Sequence, residues 1–191
     1  HKYSPVDGYL DLKKAICKKF KRDNNLNYDV DQIVVSTGAK QSIANVCMSL
    51  INKGDEVLIP TPYWVSYSAM VELAEGVPVF INPGEDANYK ITAQQLDSAI
   101  TDKTKMLMLN SPNNPSGSVF TEQEYLEFSK VLLKYPNIII VSDEIYEHIN
   151  YGVKSVSFAS LPGMYDRTVT VNGISKAYAM TGWRIGYLGA P

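Results

Sequence analysis

The sequence predicts an α/β fold of three layers, in which a mostly parallel seven-stranded sheet lies between helices. Two observations predict it. Short runs of apolar, often β-branched residues recur along the chain, and most of them are separated by segments with the apolar spacing of a helix. Strands that are apolar on both faces are typical of a parallel sheet covered on both sides. The length of 191 residues suits one large domain.

Seven apolar runs are predicted as strands. In chain order they cover residues 33–35, 57–59, 77–81, 105–109, 138–142, 168–171 and 184–188. Proline at positions 60 and 62 stops the second run, because proline cannot donate a hydrogen bond to a neighbouring strand.

Five segments between these runs are predicted as helices: residues 10–20, 43–51, 66–74, 93–100 and 122–134. The last two are preceded by the spacing of a capping box, with Thr92 three residues before Gln95 and Thr121 three residues before Glu124.

The charge balance argues against a general nucleic-acid-binding role. Eighteen Lys and Arg residues against twenty Asp and Glu give a net charge of −2, so there is no basic excess to bind a phosphate backbone. The longest apolar runs are far shorter than the ~20 residues of a membrane span. We therefore expect neither nucleic acid nor a membrane as a partner.

Cysteine and histidine usage indicates a protein of the cytoplasm without a metal site. Two cysteines, Cys17 and Cys47, provide no disulfide framework, which suits a reducing compartment. His1 and His148 form no ligand pair with them, so no metal is expected. The chain begins at His1 without a Met or a signal-like segment, and we expect it to be a piece of a longer protein.

Polar or aromatic residues follow five of the predicted strands. In chain order they are Gly38-Ala39-Lys40, Trp64, Asn113-Asn114, Asp143 and Lys176. Ligands of parallel sheets bind beyond the carboxyl ends of the strands. The sequence therefore predicts one shared site at that edge.

Each of these residues taken alone has an ordinary alternative. Lys176 is either a solvated surface lysine or a Schiff-base lysine. Asp143 is either a helix cap or ion-pair partner, or a carboxylate that faces a cationic ring nitrogen, with Tyr146 close enough to share the site. Trp64 is either a core aromatic or a ring that stacks on a flat ligand.

Two further features are compatible with a phosphate. The turn at Gly38-Ala39-Lys40 joins a strand to a helix, and the free N–H groups of such a turn can bind an anion. Arg184 is either a bidentate phosphate ligand or a surface ion-pair partner.

Six motifs in order carry a family resemblance. They are residues 3–8 (YSPVDG), 38–41 (GAKQ), 62–67 (PYWVSY), 110–117 (NSPNNPSG), 141–146 (VSDEIY) and 175–186 (SKAYAMTGWRIG). In this order they resemble the class I aminotransferases, which are pyridoxal-phosphate (PLP) enzymes of the aspartate aminotransferase fold. The fold implied is the large domain of fold type I, with the seventh strand antiparallel.

The resemblance implies a role for each site residue. Lys176 matches the lysine that forms the Schiff base with PLP and moves a proton, and Asp143 matches the carboxylate that keeps the pyridine nitrogen protonated. Tyr146 and Asn114 match the residues at the ring oxygen, and Trp64 matches the stacked aromatic. Trp64 and Asn114 are also implied at the substrate. Arg184 and the turn Gly38-Ala39-Lys40 match the phosphate site.

The resemblance also implies what lies outside this chain. Residues 1–191 match a large PLP-binding domain, without the N-terminal arm and without the C-terminal small domain that carries the arginine for the substrate carboxylate. Gly173 stands where many relatives have a serine at the phosphate, and Ser116 stands where threonine is frequent. A homodimer is implied for the full-length protein.

Three functions remain open from the sequence. The first is transfer of an amino group between an amino acid, aspartate or glutamate, and a 2-oxo acid. The second is another PLP reaction, such as that of a C–S β-lyase or an aminocyclopropane-carboxylate-synthase-like enzyme. The third is a catalytically silent fragment.

Overall fold

The computed structural model describes residues 3–84 and 87–191, and within them seven strands form one sheet. The strands are β1 (Ile33–Ser36), β2 (Glu56–Pro60), β3 (Val77–Ile81), β4 (Thr104–Asn110), β5 (Ile139–Asp143), β6 (Thr168–Gly173) and β7 (Gly186–Gly189). Their order across the sheet is β1-β7-β6-β5-β4-β2-β3. All seven predicted strands are present.

The centre of the sheet is parallel and β7 is the exception. β2 pairs in parallel with β3 and β4, β4 pairs in parallel with β5, and β5 pairs in parallel with β6. β7 runs antiparallel to both of its neighbours, β1 and β6. In the register of β4 and β5, Asn110 lies opposite Asp143, so these two polar residues meet at the carboxyl edge.

Five α-helices connect the strands in the described part of the chain. They are α1 (Leu10–Asn24), α2 (Ala39–Leu50), α3 (Ser66–Leu73), α4 (Ala93–Ala99) and α5 (Glu122–Leu132). Both predicted capping boxes are present. The Thr92 hydroxyl accepts from the Gln95 N–H at 3.2 Å, and the Thr121 hydroxyl accepts from the Glu124 N–H at 3.3 Å.

Three predicted boundaries were wrong. α1 continues to Asn24 instead of ending at position 20, and Asn25 then stops it in a left-handed conformation (φ 57°). α2 begins at Ala39, earlier than the apolar spacing suggested, because its first turn is occupied by the small and polar residues of the strand-to-helix turn. Arg184 precedes β7 instead of opening it, because its φ of 52° is incompatible with a strand.

Helices pack on both faces of the sheet, which confirms the three layers. Apolar side chains of α2 and α3 cover one face, and those of α4 and α5 cover the other. α1 packs over the β1–β7 end through Ile16 and Phe20, which contact Ile33 and Tyr187. Covered on both sides, the sheet leaves its carboxyl edge as the place for polar groups.

None of the helices within residues 3–84 and 87–191 combines the length and the apolar character that crossing a membrane requires. His1, which the sequence excluded as a metal ligand, lies outside the described residues.

Candidate functional site

A cavity of about 220 Å³ opens at the carboxyl edge of the sheet. The residues that the family resemblance assigned to the site line it: Gly38, Ala39, Lys40, Trp64, Asn114, Asp143, Tyr146, Lys176 and Arg184. Asn113, which the sequence analysis also expected at this edge, lines a neighbouring cavity instead and donates to the Pro62 carbonyl at 3.2 Å. The structure therefore brings together residues that are up to 146 positions apart, from Gly38 to Arg184. Tyr67, Asn110, Ile145, Ser175 and Thr181 also line the cavity, and the sequence analysis did not single them out.

Asp143 is the last residue of β5 and is 4% exposed. One of its carboxyl oxygens accepts from the Tyr67 hydroxyl at 2.6 Å, and the other accepts from the Ile145 N–H at 3.2 Å. Burial raises the pKa of Asp143 to about 6, although these two hydrogen bonds and the charge of Lys176 act in the opposite direction. Because both hydrogen-bond donors are neutral, a cationic ligand group would stabilise this carboxylate further.

Tyr67 is the most informative residue that the sequence analysis missed. Its side chain is 2% exposed, and its ring meets the Trp64 ring edge to face, with centroids 5.5 Å apart. Burial, and then the negative charge of Asp143, raise the pKa of Tyr67, so the hydroxyl remains a donor to Asp143. The available signal was its place at the end of the motif of residues 62–67, close in sequence to Trp64 and in the first turn of α3.

Asn110 ties the loop after β4 to the end of β5. Its side-chain amide donates to the backbone oxygen of Asp143 at 2.9 Å, and its side-chain oxygen accepts from the Asn114 N–H at 2.8 Å. The Asn114 side chain in turn lies 3.5 Å from the Tyr146 hydroxyl. The amide and the phenol can therefore donate to the same ligand atom.

The turn before α2, together with the Arg184 guanidinium that lies against it, forms a positively charged corner of the cavity. Gly38 has a φ of 89°, and a side chain there would collide with the Arg184 guanidinium, so glycine allows Arg184 to lie against the turn. The guanidinium donates to the Thr181 carbonyl at 2.9 Å and to the Thr37 carbonyl at 3.4 Å. Gly186 has a similar function, because a side chain on it would collide with the backbone of Ala39.

This corner is suited to a phosphate. The first N–H groups of α2 have no partner within the helix, and the helix dipole places partial positive charge there. Arg184 adds a full charge. The Lys40 ammonium lies 4.9 Å from the centre of the Trp64 ring, so this lysine contacts the aromatic side of the cavity.

Lys176 lines the same cavity as Asp143 and Arg184. It follows β6, its side chain is exposed, and its ammonium is 5.9 Å from the centre of the Tyr146 ring. Its charge lowers the pKa of Asp143, so the two side chains interact electrostatically. The cavity therefore combines one buried carboxylate, one lysine, a flat aromatic side chain and a corner for an anion.

Among the residues that the structure describes, one cluster outside this cavity has the composition of a metal site. Asp23, Glu147 and His148 offer ligand atoms within 4.8 Å of one another. However, the Lys19 ammonium forms an ion pair with Glu147, and Arg22 pairs with Asp23 at 2.6 Å. The cluster already contains its cations, which identifies it as an ion-pair network.

Tyr67→Phe is expected to raise the pKa of Asp143 further, since it removes the stronger of the two donors to a buried carboxylate. A hydrogen bond to a charged group contributes about 1.5–3 kcal/mol, which corresponds to about one to two pKa units. We expect the pH midpoint of the Asp143 carboxyl titration to move up by about one unit. The measurement is a carbon-13 NMR titration of the Asp143 carboxyl group in the wild type and the variant, and an unchanged midpoint would contradict the prediction.

Comparison with known proteins agrees with this geometry. A family model described as aminotransferase class I and II matches residues 1–191. A probable aspartate/prephenate aminotransferase of Rickettsia bellii is 53% identical over 188 residues, which are 97% of this chain and 47% of that protein. An aspartate aminotransferase of Rhizobium meliloti is 51% identical over 192 residues, with 100% and 47% coverage.

Solved structures show the same fold. The crystal structure of the aspartate aminotransferase from Rhizobium meliloti superposes with a TM-score of 0.97 at 50% identity, covering 100% of this chain and 48% of that one. An aromatic aminotransferase from Pyrococcus horikoshii gives 0.96 at 42% identity, with 100% and 51% coverage. The chain spans about half the length of the curated relatives it matches. It belongs to the aminotransferase class I and II family.

Proposed function

We propose that the full-length protein is a PLP-dependent aminotransferase that moves an amino group between aspartate or glutamate and a 2-oxo acid. The observation that carries the proposal is the single cavity lined by Lys176, by the buried Asp143 and by Arg184, whose guanidinium lies against the turn before α2. The names of similar proteins, aspartate aminotransferase and aspartate/prephenate aminotransferase, support the choice of substrates.

The residues of the cavity fit PLP at both of its ends. PLP carries a phosphate, a flat ring and a ring nitrogen that can hold a proton. Because Gly38 has no side chain, the Arg184 guanidinium lies against the turn, where its charge can bind the phosphate. The buried carboxylate of Asp143 can bind the protonated ring nitrogen. Trp64 suits one face of the ring, and Asn114 and Tyr146 suit the ring oxygen.

PLP supplies an electron sink for the charge that develops at the substrate Cα when its proton leaves. Lys176 would bind the cofactor covalently through its ε-nitrogen. Once the substrate amine had displaced it, the free Lys176 amine would move the proton from the substrate Cα to the cofactor carbon that Lys176 had occupied. Asp143 keeps the proton on the ring nitrogen by charge pairing in a buried site. Tyr146 and Asn114 donate to the ring oxygen, and Trp64 covers the ring and excludes water.

Gly173 stands where many relatives have a serine at the phosphate, and in this chain a nearby serine, Ser175, lines the cavity. A side chain at Gly173 would place its Cβ 2.9 Å from the Ile185 carbonyl oxygen, so the close approach of β6 and β7 favours glycine there. Ser175 is 8% exposed and lines the cavity.

Residues 1–191 correspond in this proposal to the large PLP-binding domain of a longer chain. The arginine for the substrate carboxylate belongs to the small domain, and the working form is a homodimer. The proposed location is the cytoplasm, and the partners are amino and 2-oxo acids.

Lys176→Ala is expected to abolish covalent attachment of PLP, because the bond requires the ε-nitrogen. The measurement is mass spectrometry of the full-length protein after incubation with PLP and reduction with borohydride. Lys53→Ala, at an exposed position away from the cavity, is the control and must retain the adduct. An adduct that persists in Lys176→Ala would contradict the assignment.

A screen of amino donors tests the reaction type. The PLP-loaded, full-length protein is mixed with single amino acids, and the absorption of the cofactor and the released products are followed. We expect aspartate and glutamate to change the absorption and to release their 2-oxo acids without ammonia. Release of ammonia would indicate a lyase instead, and an unchanged spectrum with every donor would indicate a silent protein.

A further inference from the structure

The segment from Asp143 to Glu147, at the end of β5, contributes side chains to two different cavities. Asp143 and Tyr146 line the candidate active site. Glu144 and Glu147 line a second cavity of about 300 Å³ on the other side of the segment. The proposed reaction uses the first pair and leaves the second pair without a role.

Glu144 is buried at 3% exposure and joins three parts of the chain. One of its carboxyl oxygens accepts from the hydroxyl groups of Ser142 and Ser157, at 2.8 and 2.9 Å, and from the Phe158 N–H at 3.2 Å. Its own N–H donates to the Val171 carbonyl of β6 at 2.9 Å. A residue held at so many points restricts its neighbours in the chain.

The C-terminal end of α1 binds the same segment through Asn24. The Asn24 side-chain amide donates to Glu144 at 3.3 Å and to Glu147 at 2.7 Å. Lys19 donates to the Asn24 side-chain oxygen at 2.7 Å and forms an ion pair with Glu147. Helix α1 therefore contacts the reverse side of the segment whose front carries Asp143.

We propose that Glu144 is a positioning residue for the cofactor site. Its carboxyl group fixes the backbone on which Asp143 and Tyr146 stand, and Asn24 links this anchor to α1. The inference rests on the proposed function, because its main measured effect is on the binding of PLP. Its physical basis is that a network of satisfied hydrogen bonds in a buried place holds a unique geometry.

Charged and titratable groups surround Glu144 on several elements. They are Glu147 and His148 on its own turn, Lys19 and Asp23 on α1, Lys154 on the following loop, and the phenols of Tyr28 and Tyr125. Burial, and then the charge of Glu147, raise the pKa of Glu144 to about 7, while Ser142, Ser157 and Lys19 act in the opposite direction.

The first experiment measures PLP affinity of full-length variants by quenching of tryptophan fluorescence, since Trp64 lines the site. Glu144→Ala removes the acceptor of Ser142, Ser157 and the Phe158 N–H and is expected to weaken PLP binding by about tenfold or more. Glu144→Gln keeps the oxygen that accepts from these three donors and loses only the contact with Asn24, which retains Glu147 as an acceptor, so it is expected to stay within about threefold of the wild type. Glu122→Ala, at an exposed position of α5, is the control and must bind normally.

Two results would overturn the proposal. One is a folded Glu144→Ala variant with the affinity of the wild type, and the other is a Glu144→Gln variant as weak as Glu144→Ala. Should Glu144→Ala fail to fold, Ser157→Ala replaces it. That change removes one of the four donors to the Glu144 carboxyl group and is expected to weaken binding by about threefold, and unchanged affinity would overturn the proposal equally.

The second experiment needs no cofactor. A carboxyl group whose pKa is higher in the folded than in the unfolded protein destabilises the fold as it ionises. The melting temperature of the wild type minus that of Glu144→Gln must therefore fall as the pH rises from about 4.5 to about 7, and then level off. Equal melting temperatures of the wild type and Glu144→Ala would overturn the anchor itself, because the donors of Ser142, Ser157 and Phe158 would then lose nothing with their acceptor. Failure of the wild type to bind PLP would instead refute the proposed function and leave this result intact.

Discussion

The buried carboxylate of Asp143 is the constraint on which the site depends. It ends a central strand, it is 4% exposed, and its two hydrogen-bond donors are neutral. Burial of a charge without a cationic partner is unfavourable, and the raised pKa of about 6 expresses this cost. A ligand with a positive charge at this point gains binding free energy and keeps its proton. The same interaction thus serves affinity and reactivity.

The fold holds Asp143 from several directions. Asn110 on the neighbouring strand donates to its backbone oxygen, and Tyr67 at the start of α3 donates to its carboxylate. On the reverse side, Glu144 and the end of α1 contact the same segment. Because these contacts come from the sheet and from helices on both faces, the carboxylate cannot shift without disturbing packed elements.

Much of this architecture could be predicted from the sequence, for reasons that particular residues show. Apolar runs mark strands because buried strands exclude polar residues, and the capping boxes at Thr92 and Thr121 mark helix starts by a local hydrogen bond. The site residues were found because parallel strands bring their carboxyl ends to one edge. Arg184 was misplaced in a strand, since a left-handed conformation at a non-glycine residue depends on its surroundings. The sequence analysis did not assign three residues of this framework, Tyr67, Asn110 and Glu144. The hydrogen bonds that join them to Asp143 or to α1 connect residues 33 to 120 positions apart, which no local pattern reveals.

Nitrogen-15 NMR of ring-labelled PLP in the full-length protein tests the central claim most directly, because the chemical shift of the pyridine nitrogen reports whether it carries a proton. The account predicts a protonated nitrogen at neutral pH in the wild type and a neutral one in Asp143→Asn, which removes the charge with little change in shape. A neutral nitrogen in the wild type, or a protonated one in the variant, would contradict it.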